Sequence, residues 1–172
     1  MSVKFEDNSI KVKEALDDAA IAYLYEAAGE LVAQTQRLMP TKGDWYTPQT
    51  NAWTYVVDES KGEAIVGNPL EPILWTEFGT GEHSISPKGG RKGYWVYVKD
   101  DSIPGQSYTY NGGKTYTKKE AKQIVAMMRA DGKEAYYTKG QKAHRPFFKA
   151  FETSKPSLIK LAEIKFKERF DT

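Results

Sequence analysis

The sequence predicts an α+β fold: long N-terminal and C-terminal helices packed on a mainly antiparallel β-sheet, with an inserted hairpin-helix segment. Three observations predict it. Apolar residues recur at helical spacing over residues 9–38 and again after Pro156. Between these stretches lie short runs of alternating or aromatic-rich residues, the mark of strands. Glycine and asparagine clusters separate those runs at hairpin spacing.

In the first helix, Leu16, Ala20, Tyr23, Ala27, Leu31 and Leu38 form one stripe, with Glu14, Asp17, Asp18, Glu26 and Glu30 largely off it. Asn8 or Ser9 is placed to cap it, and Pro40 stops it. The alanine-rich stripe lets a partner approach closely, either the protein's own sheet or a neighbouring copy. Residues 41–51, with Gly43 and Pro48, read as a loop. Trp53, Tyr55 and Val57 then alternate with Thr54, Val56 and Asp58, and the run from Ala64 to Gly67 returns after a turn at 59–62. A short helix is preferred over a strand for residues 72–78, with Pro72 in its first turn and Gly79 just past its end.

Residues 83–93 are rich in glycine, lysine and serine and read as a mobile loop. Residues 94–98 are a strand. A second hairpin is expected around Asn111-Gly112-Gly113, with arms at 108–110 and 114–116. Thr117 and Glu120 have the spacing of a capping box, and Ala121, Ile124, Val125 and Met128 form the apolar face of the helix that follows. Gly132 ends that helix, and residues 135–138 read as a strand. Phe147, Phe148 and Phe151 are expected to be buried. The last helix is expected to start near Pro156 with Ile159, Ala162, Phe166 and Phe170 inward. No linker between two domains is visible; residues 1–172 read as one domain, with an insertion at 99–134.

The totals exclude some functions. Without cysteine, disulfides and thiolate chemistry are ruled out. A net charge of +2 argues little for nucleic-acid binding. No apolar run is long enough to span a membrane, and residues 1–10 hold no signal core, so a cytoplasmic, membrane-free protein is expected. The 13% aromatic content mildly favours an interface protein.

Candidate chemistry is sparse. His83 and His144 belong to no metal-ligand spacing, no phosphate loop or nucleophile elbow occurs, and neither metal nor cofactor is expected. Glu77, between Trp75 and Phe78, could act as a raised-pKa general acid of a carboxylate-dependent hydrolase, with Asp44, Asp58 or Glu82 as partner. A solvated or ion-paired glutamate is the preferred reading. Basic residues gather at 88–92, 118–122 and 139–149 with tyrosines between several of them, a mix compatible with a DNA-binding module. No recognition-helix motif is present.

The most informative feature is a pair of distant segments, residues 75–81 (Trp-Thr-Glu-Phe-Gly-Thr-Gly) and residues 137–151, which join aromatics directly to glycine, proline and charge. Together with Gly90-Arg91-Lys92-Gly93-Tyr94-Trp95 between them, and Arg145-Pro146-Phe147-Phe148 before the last helix, they make an ordered set. That set resembles the head–tail connector and tail-completion (neck) proteins of long-tailed bacteriophages. Two departures stand out: residues 47–53 lack the segment that usually opens the first strand in that family, and 99–134 lengthens a connection between strands.

The resemblance implies a non-enzymatic virion protein, assembled in the host cytoplasm. It implies a homo-oligomeric ring, hexameric, at the neck. Its partners would be a head-side connector or stopper protein and a tail tube or tail terminator protein. DNA would pass through the channel without sequence-specific binding. Candidate interface or junction residues are Trp75, Glu77, Phe78, Gly79, Thr80, Lys142, Arg145, Pro146 and Phe147. Their aromatics serve equally well as intramolecular core.

Overall fold

The computed structural model describes residues 9–43, 46–86, 88–99 and 107–170, with Phe170 described by its backbone alone. The fold is α+β, with long helices near both ends and small antiparallel sheets. Contacts divide the chain into two compact units, Met1–Leu70 with Pro146–Thr172, and Glu71–Arg145.

The first unit is built on two helices, α1 (Ser9–Leu38) and α5 (Pro146–Phe170), which pack on each other. They run antiparallel, because Arg169 bonds Asp18 at 2.9 Å while Lys165, one turn earlier on α5, pairs with Glu26, about two turns later on α1. The inward face of α1 differs from the expected stripe. Ala19, Ala28, Leu31 and Thr35 are buried, whereas Leu16 and Leu38 are exposed. The inward face of α5 is Leu158, Leu161, Ala162, Lys165 and Phe166: Ala162 and Phe166 turn inward as expected, whereas Ile159 is exposed and Leu158, Leu161 and Lys165 join the face instead. The physical reason lies in the seam. The Thr35 side chain and the aliphatic stem of Lys165 line it, and hydropathy spacing under-weights both. Asn8, the other capping candidate, lies outside the described residues.

Two further expectations are corrected here. The last helix starts at Pro146 rather than near Pro156, which sits inside α5. Proline removes one backbone donor, but Glu152 and Pro156 both face solvent, where water can satisfy the carbonyl left over. Phe148 and Phe151 are exposed on the first turns of α5. Phe147 alone turns inward, its ring stacked on Trp53 at 5.3 Å.

The segment expected as a loop at 41–51 includes a short helix, α2 (Tyr46–Asn51), whose Gln49 is buried. The hairpin forms as expected from β1 (Thr54–Asp58) and β2 (Glu63–Gly67), in a register that pairs Val56 with Ile65. Its turn is fixed by Asp58, which accepts bonds from the Ser60 hydroxyl (2.6 Å) and the Lys61 amide (3.2 Å). Tyr55, Val57, Ala64 and Val66 make the half-buried face, and the hairpin packs on α1. Val56 and Ile65 face outward, 66% and 68% exposed.

The second unit opens with α3 (Pro72–Phe78), helical as preferred. It then builds a sheet of order β4-β3-β5 from β3 (Trp95–Lys99), β4 (Ser107–Thr109) and β5 (Ala135–Thr138). Both pairings are antiparallel. The expected second hairpin does not form. Residues 107–109 pair with β3, and Tyr116 bridges to Tyr94, just before β3; residues 110–113 bulge out between them. The left-handed Asn111 and Gly112 that suggested a hairpin turn shape this bulge instead.

Helix α4 (Lys118–Ala130) starts at the expected capping box, with Thr117 and Glu120 bonding each other's backbone amides. Its buried Ala121, Val125 and Met128 meet Val96, Val98 and Ala135 of the sheet in one core. The segment 99–134 therefore supplies half the core of this unit.

Thr117→Ala removes one of two reciprocal caps and should destabilise the protein by about 1 kcal/mol, read as a lower urea midpoint. Glu120→Ala should cost a similar amount, and the double variant less than the sum, because each cap needs the other.

Candidate functional site

The two distant segments singled out in the sequence meet in the second unit, and backbone groups join them. Thr80 donates its amide to the Gln141 carbonyl (2.9 Å), and Gln141 returns its amide to the Thr80 hydroxyl (2.9 Å). Glu82 donates to the Lys139 carbonyl at 3.0 Å. One turn back, the carbonyl of fully buried Thr76 accepts the amides of His144 (2.9 Å) and Arg145 (3.4 Å). These bonds form a clasp between the end of α3 and the segment that leaves β5.

Glycine makes the close approach feasible. At Gly140 (φ +118°) a Cβ would overlap the Thr80 carbonyl, and at Gly81 (φ +57°) it would overlap the Lys139 carbonyl. The stretch read as a mobile loop is pinned at three points. Gly90 packs against the Gly81 backbone, Arg91 lies over the Trp95 ring at 5.1 Å, and Gly93 donates its amide to the Glu82 carboxylate at 3.0 Å. Pro87 of that stretch lies outside the described residues.

Glu82 is the electrostatic centre of this region. The Gly93 amide, foremost, and the Lys139 ammonium (3.5 Å) hold its carboxyl below the usual glutamate value. Beside the clasp opens a cleft of about 410 Å³ lined by Trp75, Thr80, Gly81, Arg91, Trp95 and Thr109. The Arg91 guanidinium is wedged between the Trp95 ring and Gly113, where an added Cβ would come within 2.6 Å of its Nη1. No carboxylate pairs with it among the described residues.

The candidate residues fall in different places. Trp75 and Phe78 are 42% and 44% exposed at the end of α3. Gly79 caps α3 with φ +70°, buried beneath the His83 carbonyl, and Thr80 makes the clasp. Glu77 is half-buried and Lys142 exposed. Arg145 has a left-handed φ of +57° just before α5. Pro146 and Phe147 belong to the first unit, one buried and the other stacked on Trp53. Sequence reasoning missed Glu82 as an anchor and Arg91 with Trp95 as a pair. The one available signal was the Gly89-Gly90 doublet before Arg91.

Of the carboxylates considered beside Glu77, Asp58 fixes the hairpin turn, Glu82 is engaged as described, and Asp44 lies outside the described residues. Among the described residues, no cluster of histidine and carboxylate groups could hold a metal ion, and no helix is long and apolar enough to cross a membrane.

Comparison with protein-family models, with curated proteins and with solved structures yields no match to this chain.

Gly140→Ala should destabilise the protein by more than about 3 kcal/mol, because strain and overlap with backbone combine. Gly132→Ala, at φ +78° in open space, should cost about 1–2 kcal/mol; equal losses in chemical denaturation would refute the close approach. Glu82 stabilises the fold in its ionised form, since its folded pKa lies below its unfolded one. That contribution is present above the ordinary glutamate value of 4.5 and is lost as pH falls through the lowered folded pKa. Glu82→Gln should therefore lower stability at pH 7 and flatten the acid limb of a stability–pH curve.

Proposed function

We propose that this chain is a structural virion protein of a tailed bacteriophage. It is a tail-completion or head–tail joining component that assembles as a ring, of six copies, between the head connector and the tail tube. In this reading it carries out no catalysis, and DNA passes through the ring without being read in sequence. One observation carries the proposal: the segments that bear the resemblance, far apart in the chain, are neighbours in the fold. Thr80 and Gln141 are 61 positions apart and bond each other twice. Segments that meet in space form one surface, which is what a shared docking role would ask of them.

The surface chemistry supports the same reading. A ring of identical copies needs two different patches on each subunit. Exposed apolar residues occur on both units: Leu74, Trp75 and Phe78 on one, Val56 and Ile65 on the other. Aromatic residues of this kind are enriched at interface centres.

Particles made without this gene should appear in electron micrographs as filled heads and finished tails lying apart, and added purified protein should join them. The Glu77→Gln protein should join them nearly as well as the unaltered one. Normally joined particles in the absence of the gene would sink the proposal.

A further inference from the structure

We infer that the cleft between Trp75 and Trp95 receives the outward face of the β1–β2 hairpin of a second copy of this chain, with Arg91 of one copy meeting Glu63 of the other. The inference rests on the self-assembly reading above and names the contact that would carry it.

Consider first what the cleft asks for. Its walls include two indoles, and a guanidinium sits at its rim, held by Trp95 and Gly113 but paired with no carboxylate among the described residues. Such a fixed cation stabilises an incoming carboxylate without losing further side-chain freedom. Tryptophan and arginine together are the residue types that dominate binding energy at protein contacts. The unit that carries the cleft is basic, with 13 Lys and Arg against 8 Asp and Glu.

Consider next what the hairpin offers. The unit that carries it is acidic, with 12 basic against 15 acidic side chains. Val56 and Ile65 are cross-strand partners, both about two-thirds exposed, and form an apolar knob. Glu63 lies two residues before Ile65 and so on the same face. Its carboxylate is exposed and has no partner among the described residues. The opposite cross-strand residue, Asp58, is already bound to Lys61 and Ser60. Among the described residues, an apolar knob with one unpaired carboxylate thus complements an apolar cleft with one unpaired cation. Cleft and knob are different patches on different units, so the contact is heterologous and repeats from copy to copy, as a ring needs.

The absence of cysteine makes the test direct. One full-length variant carries Thr109→Cys at the rim of the cleft, and a second carries Thr54→Cys on the outward hairpin face beside Val56. Mixed at high concentration and low salt under mild oxidation, they should form the mixed disulfide dimer about tenfold faster than Thr109→Cys mixed with Thr153→Cys, an exposed position on α5. Arg91→Glu in the first chain should abolish the excess, and Glu63→Arg in the second should restore it. Rising salt should lower it. Equal rates for the two mixtures, or an excess indifferent to Arg91→Glu, would overturn the inference. If particles lacking the gene are unjoined while the excess is missing, the contact is wrong and the neck role stands; if the excess forms while particles join without the gene, the role is wrong and the contact stands.

Discussion

The backbone clasp between residues 76–82 and 139–145 is the constraint on which the second unit depends. It joins the two ends of that unit, so a stretch of chain that enters at Glu71 and leaves at Arg145 is closed on itself. Backbone bonds at this separation demand that no side chain intervene, which is why glycine stands at 79, 81 and 140. The clasp then positions everything beside it. Glu82 is held where it can accept from Gly93, Gly93 leads into β3, and β3 presents Trp95 beneath Arg91. The cleft is a consequence of the clasp.

The two units are stabilised by different means. The second has a core of valines, alanines and one methionine between α4 and the sheet, where Val96, Ala121 and Ala135 are fully buried. The first relies on a long helix pair whose seam is partly alanine and partly charge, and its ion pairs are largely exposed. Exposed ion pairs contribute little stability each, typically below about 1 kcal/mol, and serve mainly to fix the antiparallel alignment. Trp53, buried and stacked on Phe147, is the larger apolar anchor of that unit, and its indole N–H has no acceptor among the described residues.

Much of this was legible in the sequence because local signals were strong. The capping box at Thr117 and Glu120, the hairpin at 54–67, α3 between Pro72 and Gly79, and the span of α1 each rest on spacing that only one local structure satisfies. What failed did so for identifiable reasons. Asn111-Gly112-Gly113 does adopt left-handed backbone, but a wide bulge needs that as much as a hairpin does. Pro156 looks like a helix start until the exposure of Glu152 shows that its lost bond falls in water. The helix faces were placed in part: Leu31, Ala162 and Phe166 turn inward as expected, but Thr35 and Lys165 are covered without looking hydrophobic. At the candidate site, the aromatic and glycine segments stood out, yet Arg91 and Glu82 did not, since neither residue type announces what it will face. The pairing of positions 80 and 141 is a long-range event that no local pattern encodes.

Because α1 and α5 come from opposite ends of the described chain, the first unit cannot be completed during synthesis until residues 146–170 have emerged. The second unit is contiguous and has its full complement of strands earlier. A nascent chain therefore holds every residue of that unit while the alanine face of α1 still waits for its partner. The entropic cost of that wait is modest, since closing a loop costs only about 0.6 kcal/mol more for each doubling of its length. A folded insert with clasped ends shortens the effective loop further. The order of translation thus sets the order in which contacts become available: those within Glu71–Arg145 first, and those between α1 and α5 last.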